Sequence, residues 1–170
     1  MKVIFLDIDG VLNSTDYMHK LIDNNVHEYE NDIYQFIDEN AVNIIVNLCK
    51  QYDLKLVITS SWRHFDLKST LEYFNEIENK KLWSLIPYII GVTPRSWIEK
   101  EDGHLDFLDR GYEIEKYLNE NKEIDEYVIL DDDTDMLESQ KEHFIHIDGK
   151  QGLNDCYINE IKKILNIVKN

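Results

Sequence analysis

Long apolar runs are missing from this chain of 170 residues. No stretch approaches the roughly 20 residues that a membrane-spanning helix needs. The apolar start, MKVIFL, is interrupted by Asp7 and Asp9, which makes it a poor signal-peptide core. Cysteine is scarce as well. Cys49 and Cys156 stand alone without CxxC spacing, which indicates neither a zinc site nor a disulfide framework. Both are expected as buried thiols in a reducing, cytoplasmic setting. With six Gly and two Pro there is no flexible linker, and no repeat or low-complexity tract interrupts the chain. Positive charge is the last shortage: 18 Lys and Arg face 34 Asp and Glu, a net charge of −16. Proteins that coat nucleic acid neutralise phosphates with Lys and Arg, so this balance argues against strong binding of that kind.

What is present is a globular composition, 43% hydrophobic and 11% aromatic. The length predicts one domain over residues 1–170 with a real hydrophobic core. Apolar runs of strand length lie at Lys2–Leu6, Leu54–Thr59, Pro87–Gly91, Tyr127–Leu130 and Phe144–Ile147. They are nearly continuous, as in strands buried on both faces. Helical spacing fills the gaps. Asn40 is placed to cap a helix presenting Val42, Ile45, Val46 and Cys49, and Asp66 to cap one with Leu67, Leu71, Phe74 and Ile77. Glu113–Asn121 and Asn154–Val168 carry similar patterns. Strands alternating with helices predict right-handed crossovers and a mainly parallel sheet covered on both sides. Such sheets bind ligands outside the carboxyl ends of their strands.

Three of those ends are chemically unusual. The first strand runs into Asp7-Ile8-Asp9-Gly10, the second into Thr59, Ser60, Ser61 and Arg63, and the fourth into Asp131, Asp132, Asp133 and Asp135. If these strands are neighbours, carboxylates from two of them face each other. Two unit charges about 4 Å apart repel by about 4 kcal/mol at an effective dielectric of 20. A cluster of three demands a bound cation or retained protons. An all-oxygen donor set favours Mg2+ or Ca2+ over zinc, and Mg2+ usually binds through a few carboxylates together with phosphate and water.

With these residues in place, the chain resembles the haloacid dehalogenase-like superfamily of phosphatases and phosphotransferases. FLDIDGVL is similar to its first motif, an apolar strand followed by DxDG. LVITSS is similar to the second, a strand ending in Ser or Thr, and VILDDDTD to the fourth, a strand ending in an acidic pair. The third supplies a Lys or Arg ahead of the fourth. SSWR, RGYEIEKYL, YVILDDDTDM and the late GLN look like a compact subgroup, some of whose members are associated by family name with RNA repair. The resemblance covers nearly the whole chain. It implies a Rossmann-like three-layer α/β sandwich with a mainly parallel five-stranded sheet in the order 3-2-1-4-5. Little or no cap domain is expected, with residues 11–34 and 80–109 as the segments able to form a small lid or flap, and Gly103 as a flexible point.

The resemblance also implies roles. Asp7 matches the nucleophile that attacks phosphorus and becomes an aspartyl phosphate. Asp9 matches the acid that protonates the leaving oxygen and then acts as base toward water. Asp7 and the backbone carbonyl of Asp9 match metal-binding positions. Asp132 matches the metal ligand of the fourth motif, with Asp131 as a contact one step removed from the metal or bridged to it by water, and Asp135 behind it. Ser60 is favoured as the hydroxyl that binds phosphate, and Thr59 is the alternative. Arg110 is favoured as the phosphate-binding cation, and Arg95 and Arg63 are its rivals, because Arg stands where Lys is the commoner residue. The chemistry is coherent. A carboxylate nucleophile needs no partner base, and phosphoryl transfer depends mainly on positioning and on positive charge, which Mg2+ would supply in part.

Blander readings fit less well. DDDTDMLESQKE spaces its acids like an EF-hand loop, but Met136 stands where that loop needs Gly and a strand precedes it. A receiver domain gathers similar residues but does not normally carry DxDG. Trp62 and Trp97 suit either stacking on a substrate ring or packing. The six His lack metal-ligand spacing, with His143 and His146 on a strand. The expected function is therefore Mg2+-dependent hydrolysis of phosphate monoesters, on a phosphorylated small molecule or a nucleic-acid end. The alternative is a catalytically weak Mg2+- and phosphate-binding module acting through protein contacts. No membrane partner is expected, and nothing in the sequence specifies an oligomer.

Overall fold

A computed structural model describes residues 1–24, 36–76, 80–99, 102 and 105–167. In chain order the elements are β1 (Lys2–Leu6), α1 (Thr15–Asp23), α2 (Glu39–Tyr52), β2 (Lys55–Ile58), α3 (Leu67–Glu76), β3 (Ile89–Val92), β4 (Trp97–Glu99), β5 (Leu105–Phe107), α4 (Arg110–Glu120), β6 (Glu126–Asp131), β7 (Phe144–His146) and α5 (Ile158–Ile164). Five strands form one parallel sheet in the order β3-β2-β1-β6-β7. Counted along the chain, those five strands run 3-2-1-4-5, the order expected from the resemblance.

Strand β1 is apolar throughout its buried length because both of its faces are covered. Val3 and Phe5 pack with Ile114 of α4, while Ile4 and Leu6 join Val42, Ile45 and Leu48 of α2 and Ile161 of α5 on the other side. Fully burying one such side chain contributes about 1.5–3 kcal/mol. Tyr117 and Tyr127 meet the Phe5 ring edge-on at 5.8 and 5.7 Å, a favourable aromatic geometry.

Hydrogen bonding carries the sheet one residue beyond its strands. The Asp7 amide donates to Leu130 O (3.0 Å), Thr59 to Leu6 O (3.0 Å), Thr93 to Ile58 O (3.0 Å) and Ile147 to Asp131 O (2.8 Å). The polar strand ends are thus held level along one edge.

Several helix boundaries differ from the sequence expectation. Asp38, not Asn40, caps α2: its Oδ1 accepts from the Asn40 amide at 2.8 Å. Both residue types cap well, and the neighbouring chain decides, because the Asp38 amide is itself held by Leu12 O at 2.7 Å. Asp66 caps the start of α3 as expected, accepting from the Ser69 amide at 2.7 Å. Helix α4 begins three residues before Glu113, and Asn154 caps a short 3-10 turn, Asp155–Tyr157, that leads into α5. Helix α1 and the antiparallel β4–β5 pair, with Trp97 opposite Phe107, are additional elements within the two expected lid segments. Residues 25–35, 100, 101, 103 and 104 fall outside the described residues, and the lid expectation, Gly103 included, rests partly on them. Ile77 and Val168 also lie outside. Among the described residues no helix is long and apolar enough to cross a membrane.

Both cysteines are free, but only Cys49 is buried, so the expectation of two buried thiols is corrected at Cys156. Cys156 lies in the 3-10 turn, where it and Asp155 are exposed and Tyr157 is the residue that packs on the core, whereas Cys49 lies on the inner face of α2. Burial pushes the Cys49 thiol up to about 12, with Lys55 pulling weakly the other way. Since the thiolate is the reactive form, a maleimide should label one thiol per native chain at neutral pH and two after denaturation. Labelling of both thiols in the native protein at similar rates would contradict this packing.

Candidate active site at the carboxyl edge of the sheet

Register creates the site. Leu6 of β1 is opposite Ile58 of β2 and Leu130 of β6, so the next residues, Asp7, Thr59 and Asp131, emerge side by side. Oxygens of the Asp7, Asp131 and Asp132 carboxylates lie within 4.8 Å of one another. Such a cluster is unstable without positive charge, and Arg110 supplies some. Its Nη1 is 2.7 Å from Asp7 Oδ1 and 3.0 Å from Asp131 Oδ2. Neither contact is aligned as a hydrogen bond, so the attraction is one of charge: all three atoms are buried without a hydrogen-bond partner, as is Thr59 Oγ1.

One guanidinium does not balance three carboxylates. Burial raises the pKa of Asp7 above the usual carboxylate range, opposed by Arg110, the Ile8 amide and the Ser60 hydroxyl. Asp131 is pushed up to about 8 by burial and by the Asp7 charge, with Arg110 opposing. Burial, then Asp7 and Asp133, raise Asp132. Burial works against the Arg110 charge too, yet Asp7 and Asp131 more than offset it and its pKa rises. Arg110 therefore remains a cation while its partners compete for protons.

The acidic run Asp131–Asp135 divides its tasks. Asp131 Oδ1 accepts from the Asp133 amide at 3.0 Å, closing a tight turn, and His146 Nε2 hydrogen-bonds the Asp132 carbonyl at 2.9 Å. Asp135 reaches across to α4. Its Oδ2 accepts from the Arg110 amide at 2.9 Å and its carbonyl from Gly111 at 3.2 Å. This secures the first turn of α4, the part that carries Arg110. Asp132 is wedged between two glycines: a Cβ at Gly10 would lie 2.1 Å from its Oδ2, and one at Gly149 would lie 2.5 Å away. Gly10 also has φ +67°, a conformation other residues avoid.

Asp9 is exposed, and its side chain is not part of the three-carboxylate cluster. Trp62 Nε1 and Asn13 Nδ2 each donate to it at 2.9 Å, and Ser61 Oγ does so at 3.4 Å. Asn13 Oδ1 accepts in turn from the Gly10 amide at 2.8 Å, bracing the turn. Trp62 packs into the core, as the packing reading expects, and its indole N–H adds a polar contact to Asp9. Its position just after LVITSS was the available signal. Of the two candidate hydroxyls, Ser60 bears on Asp7 and accepts from the Trp62 amide at 3.3 Å, while Thr59 Oγ1 has no partner.

Arg63, a rival candidate for the phosphate-binding cation, borders the same edge but directs most of its donors at the protein. Its Nε donates to Thr93 O at 2.9 Å, its Nη1 to Thr59 O and Ser60 O, and its Nη2 to Glu113. Four of its N–H groups are thereby spent on holding strand ends and α4 together. Glu113 stands in the sequence as the first residue of a helical pattern, with nothing to mark its buried ion pair. It is buried, pairs with Arg63 and accepts from the Ser96 amide at 3.1 Å. Arg95 is also engaged, donating to Ser61 O (2.7 Å) and Arg63 O (2.8 Å). A cleft of about 230 Å³ opens among Ser61, Arg63, Arg95, Arg110, Glu113 and Asp135.

The cluster fits a hard divalent cation. Its donors are all oxygen, two of them lack hydrogen-bond partners, and its charge exceeds what Arg110 neutralises.

The chain belongs to the family described as the HAD domain in Swiss Army Knife RNA repair proteins, whose family model matches residues 3–158. Comparison with curated proteins and with solved structures gave no match. Membership supports a phosphoesterase-type role, and the buried acidic cluster agrees with the divalent metal typical of this fold family.

The buried Arg63–Glu113 pair gives a stability prediction. Removing one partner leaves the other charge buried, a loss of about 3–5 kcal/mol. Glu113→Ala should lower the urea midpoint accordingly, and an unchanged midpoint would show that the pair does not tie α4 to the sheet.

Proposed function

We propose that this HAD-domain chain hydrolyses phosphate monoesters in a Mg2+-dependent reaction that passes through a phosphorylated Asp7. The observation that carries the reading is Asp7 Oδ1, a buried carboxylate oxygen without a hydrogen-bond partner, beside a fixed guanidinium and two further carboxylates. An Asp7 oxygen attacks phosphorus, forming an O–P bond as the bond to the leaving oxygen breaks. Asp9 gives that oxygen a proton, then takes one from the water that attacks the acyl phosphate, releasing inorganic phosphate and restoring Asp7. The Trp62, Ser61 and Asn13 contacts orient Asp9 for both transfers.

Asp7 and Asp132, with Asp131 beside them and the Asp9 carbonyl, would hold Mg2+. When bound, Mg2+ supplies positive charge that offsets the carboxylates and lets an anionic nucleophile meet an anionic ester. Arg110 adds a second positive group for the charge that spreads over the phosphoryl oxygens. Thr59, whose hydroxyl is unpartnered, is now the better candidate for a hydrogen bond to phosphate, and Ser60 acts on Asp7. The substrate is a phosphorylated nucleotide or nucleic-acid end. The family description supports this over an unrelated small molecule, and the acid excess disfavours gripping a long polyanion. A single domain with little cap, in a cytoplasmic setting, belongs to the same reading.

One observation favours a second reading, a catalytically weak Mg2+- and phosphate-binding module acting through protein contacts. Arg110 Nη1 rests 2.7 Å from the Asp7 oxygen that would attack. The two readings separate cleanly. With hydrolysis, a chromogenic phosphate ester is turned over, EDTA stops it, Asp7→Asn reduces it to background, and acid quenching traps a hydroxylamine-sensitive phosphoenzyme. Retained turnover in Asp7→Asn would end the proposed mechanism, and binding of Mg2+ and phosphate without turnover of any ester would favour the module.

A further inference from the structure

Beside the cleft that holds Arg110 lies a second groove of about 350 Å³, bordered by Trp62, His64, Phe65, Tyr73, Arg95 and Trp97. Five large hydrophobic side chains are exposed among the described residues, and two of them, Phe65 at 93% and Trp97 at 53%, share this groove. Scattered exposed rings need no explanation, but rings gathered beside a polar site point to a ligand. The charge of the lining is equally informative. In a chain of 34 acids and 18 bases, this groove is lined by two arginines, a histidine and four aromatic rings, without one carboxylate.

We propose that this groove is a nucleobase subsite, in which the terminal nucleoside of the substrate stacks on Phe65 and Trp97 while its phosphate reaches Arg110 and the carboxylates. The inference rests on the phosphomonoesterase reading and assigns the site that would hold the nucleoside part of its substrate. Aromatic faces bind bases of any identity by stacking, and an adjacent guanidinium strengthens such contacts. The separate linings favour a nucleoside over an aryl phosphate. The groove shares Ser61, Arg63 and Arg95 with the Arg110 cleft but excludes Arg110 itself, and neither lining includes Asp7, Asp131 or Asp132. A spacer is therefore needed between phosphorus and ring, and a pentose provides one, whereas the ring of tyrosine phosphate is joined directly to its phosphate. The volume suits one unpaired terminal nucleoside, and the acidic remainder of the surface opposes a longer strand.

The test compares kcat/KM for nucleoside 3′- and 5′-monophosphates with that for glycerol 2-phosphate, which has no ring. For the preferred nucleotide, Phe65→Ala and Trp97→Ala should each lower the nucleotide-to-glycerol-phosphate ratio by about 10-fold, mainly through KM, and Trp97→Phe should retain most of it. Phe65 is so exposed that its replacement leaves folding intact, which keeps the comparison meaningful. A ratio unchanged within about twofold in Phe65→Ala, against the 10-fold that stacking predicts, would overturn the proposal. So would a wild-type preference for tyrosine phosphate over both nucleotides. If no ester is turned over, the hydrolytic reading fails but the groove is still tested by calorimetric titration with the same nucleotides. Binding that weakens about 10-fold in Phe65→Ala supports the subsite, and no binding to wild type overturns it.

Discussion

The organisation of the carboxyl edge depends on one guanidinium placed among carboxylates that would otherwise repel. Arg110 touches Asp7 and Asp131 from a position that its own backbone does not choose freely, since Asp135 holds the first amides of α4. At about 4 Å each like-charge pair costs about 4 kcal/mol at an effective dielectric of 20, so the cation must be in place for the strand ends to coexist. The compensation is incomplete. Asp131 stays near 8, and Asp7 and Asp132 are also raised. This residual excess of negative charge is what supports reading the cluster as a site for a divalent ion and not merely as a set of salt bridges.

The rest of the fold serves that placement. Apolar residues alternate across both faces of β1 until Leu6, and the ladder continues one residue further, so Asp7 inherits the rigidity of the sheet while leaving its core. Arg63, pinned by three strand-end carbonyls and by Glu113, ties the ends of β2 and β3 to α4. Gly10 and Gly149 make room for Asp132. In the proposed reaction, groups held this way would need little reorganisation as charge develops.

Much of this was legible in the sequence, for a physical reason. Strands buried on both faces must be apolar, so Asp7 and the Asp131–Asp135 run stood out as violations, and parallel register then brought them together. Arg110 was identifiable because it opens a helix ahead of the fourth motif. What stayed hidden depends on contacts between residues distant in the chain. Whether Arg63 faces a ligand or the backbone is decided by the carbonyl of Thr93 and by Glu113, thirty and fifty positions away. Trp62 was visible as an aromatic residue, but its hydrogen bond to Asp9, fifty-three positions away, was not. The β4–β5 pair has only three residues per strand, too few for an alternating pattern to emerge. Ser60 and Thr59 differ by one position, and only the observed contacts distinguish a hydroxyl in use from one without a partner.

The central claim is that Asp7, Asp131 and Asp132 form one receptor for a divalent cation, with Arg110 too weak a counter-charge to replace it. Calorimetric titration of the wild-type chain and of Asp132→Asn with Mg2+ tests this most directly. The account predicts one ion bound per wild-type chain, with a matching rise in Tm because the ligand binds only the folded state, and the loss of both in Asp132→Asn. Wild-type protein that takes up no Mg2+, or a variant that binds it equally well, would contradict the account.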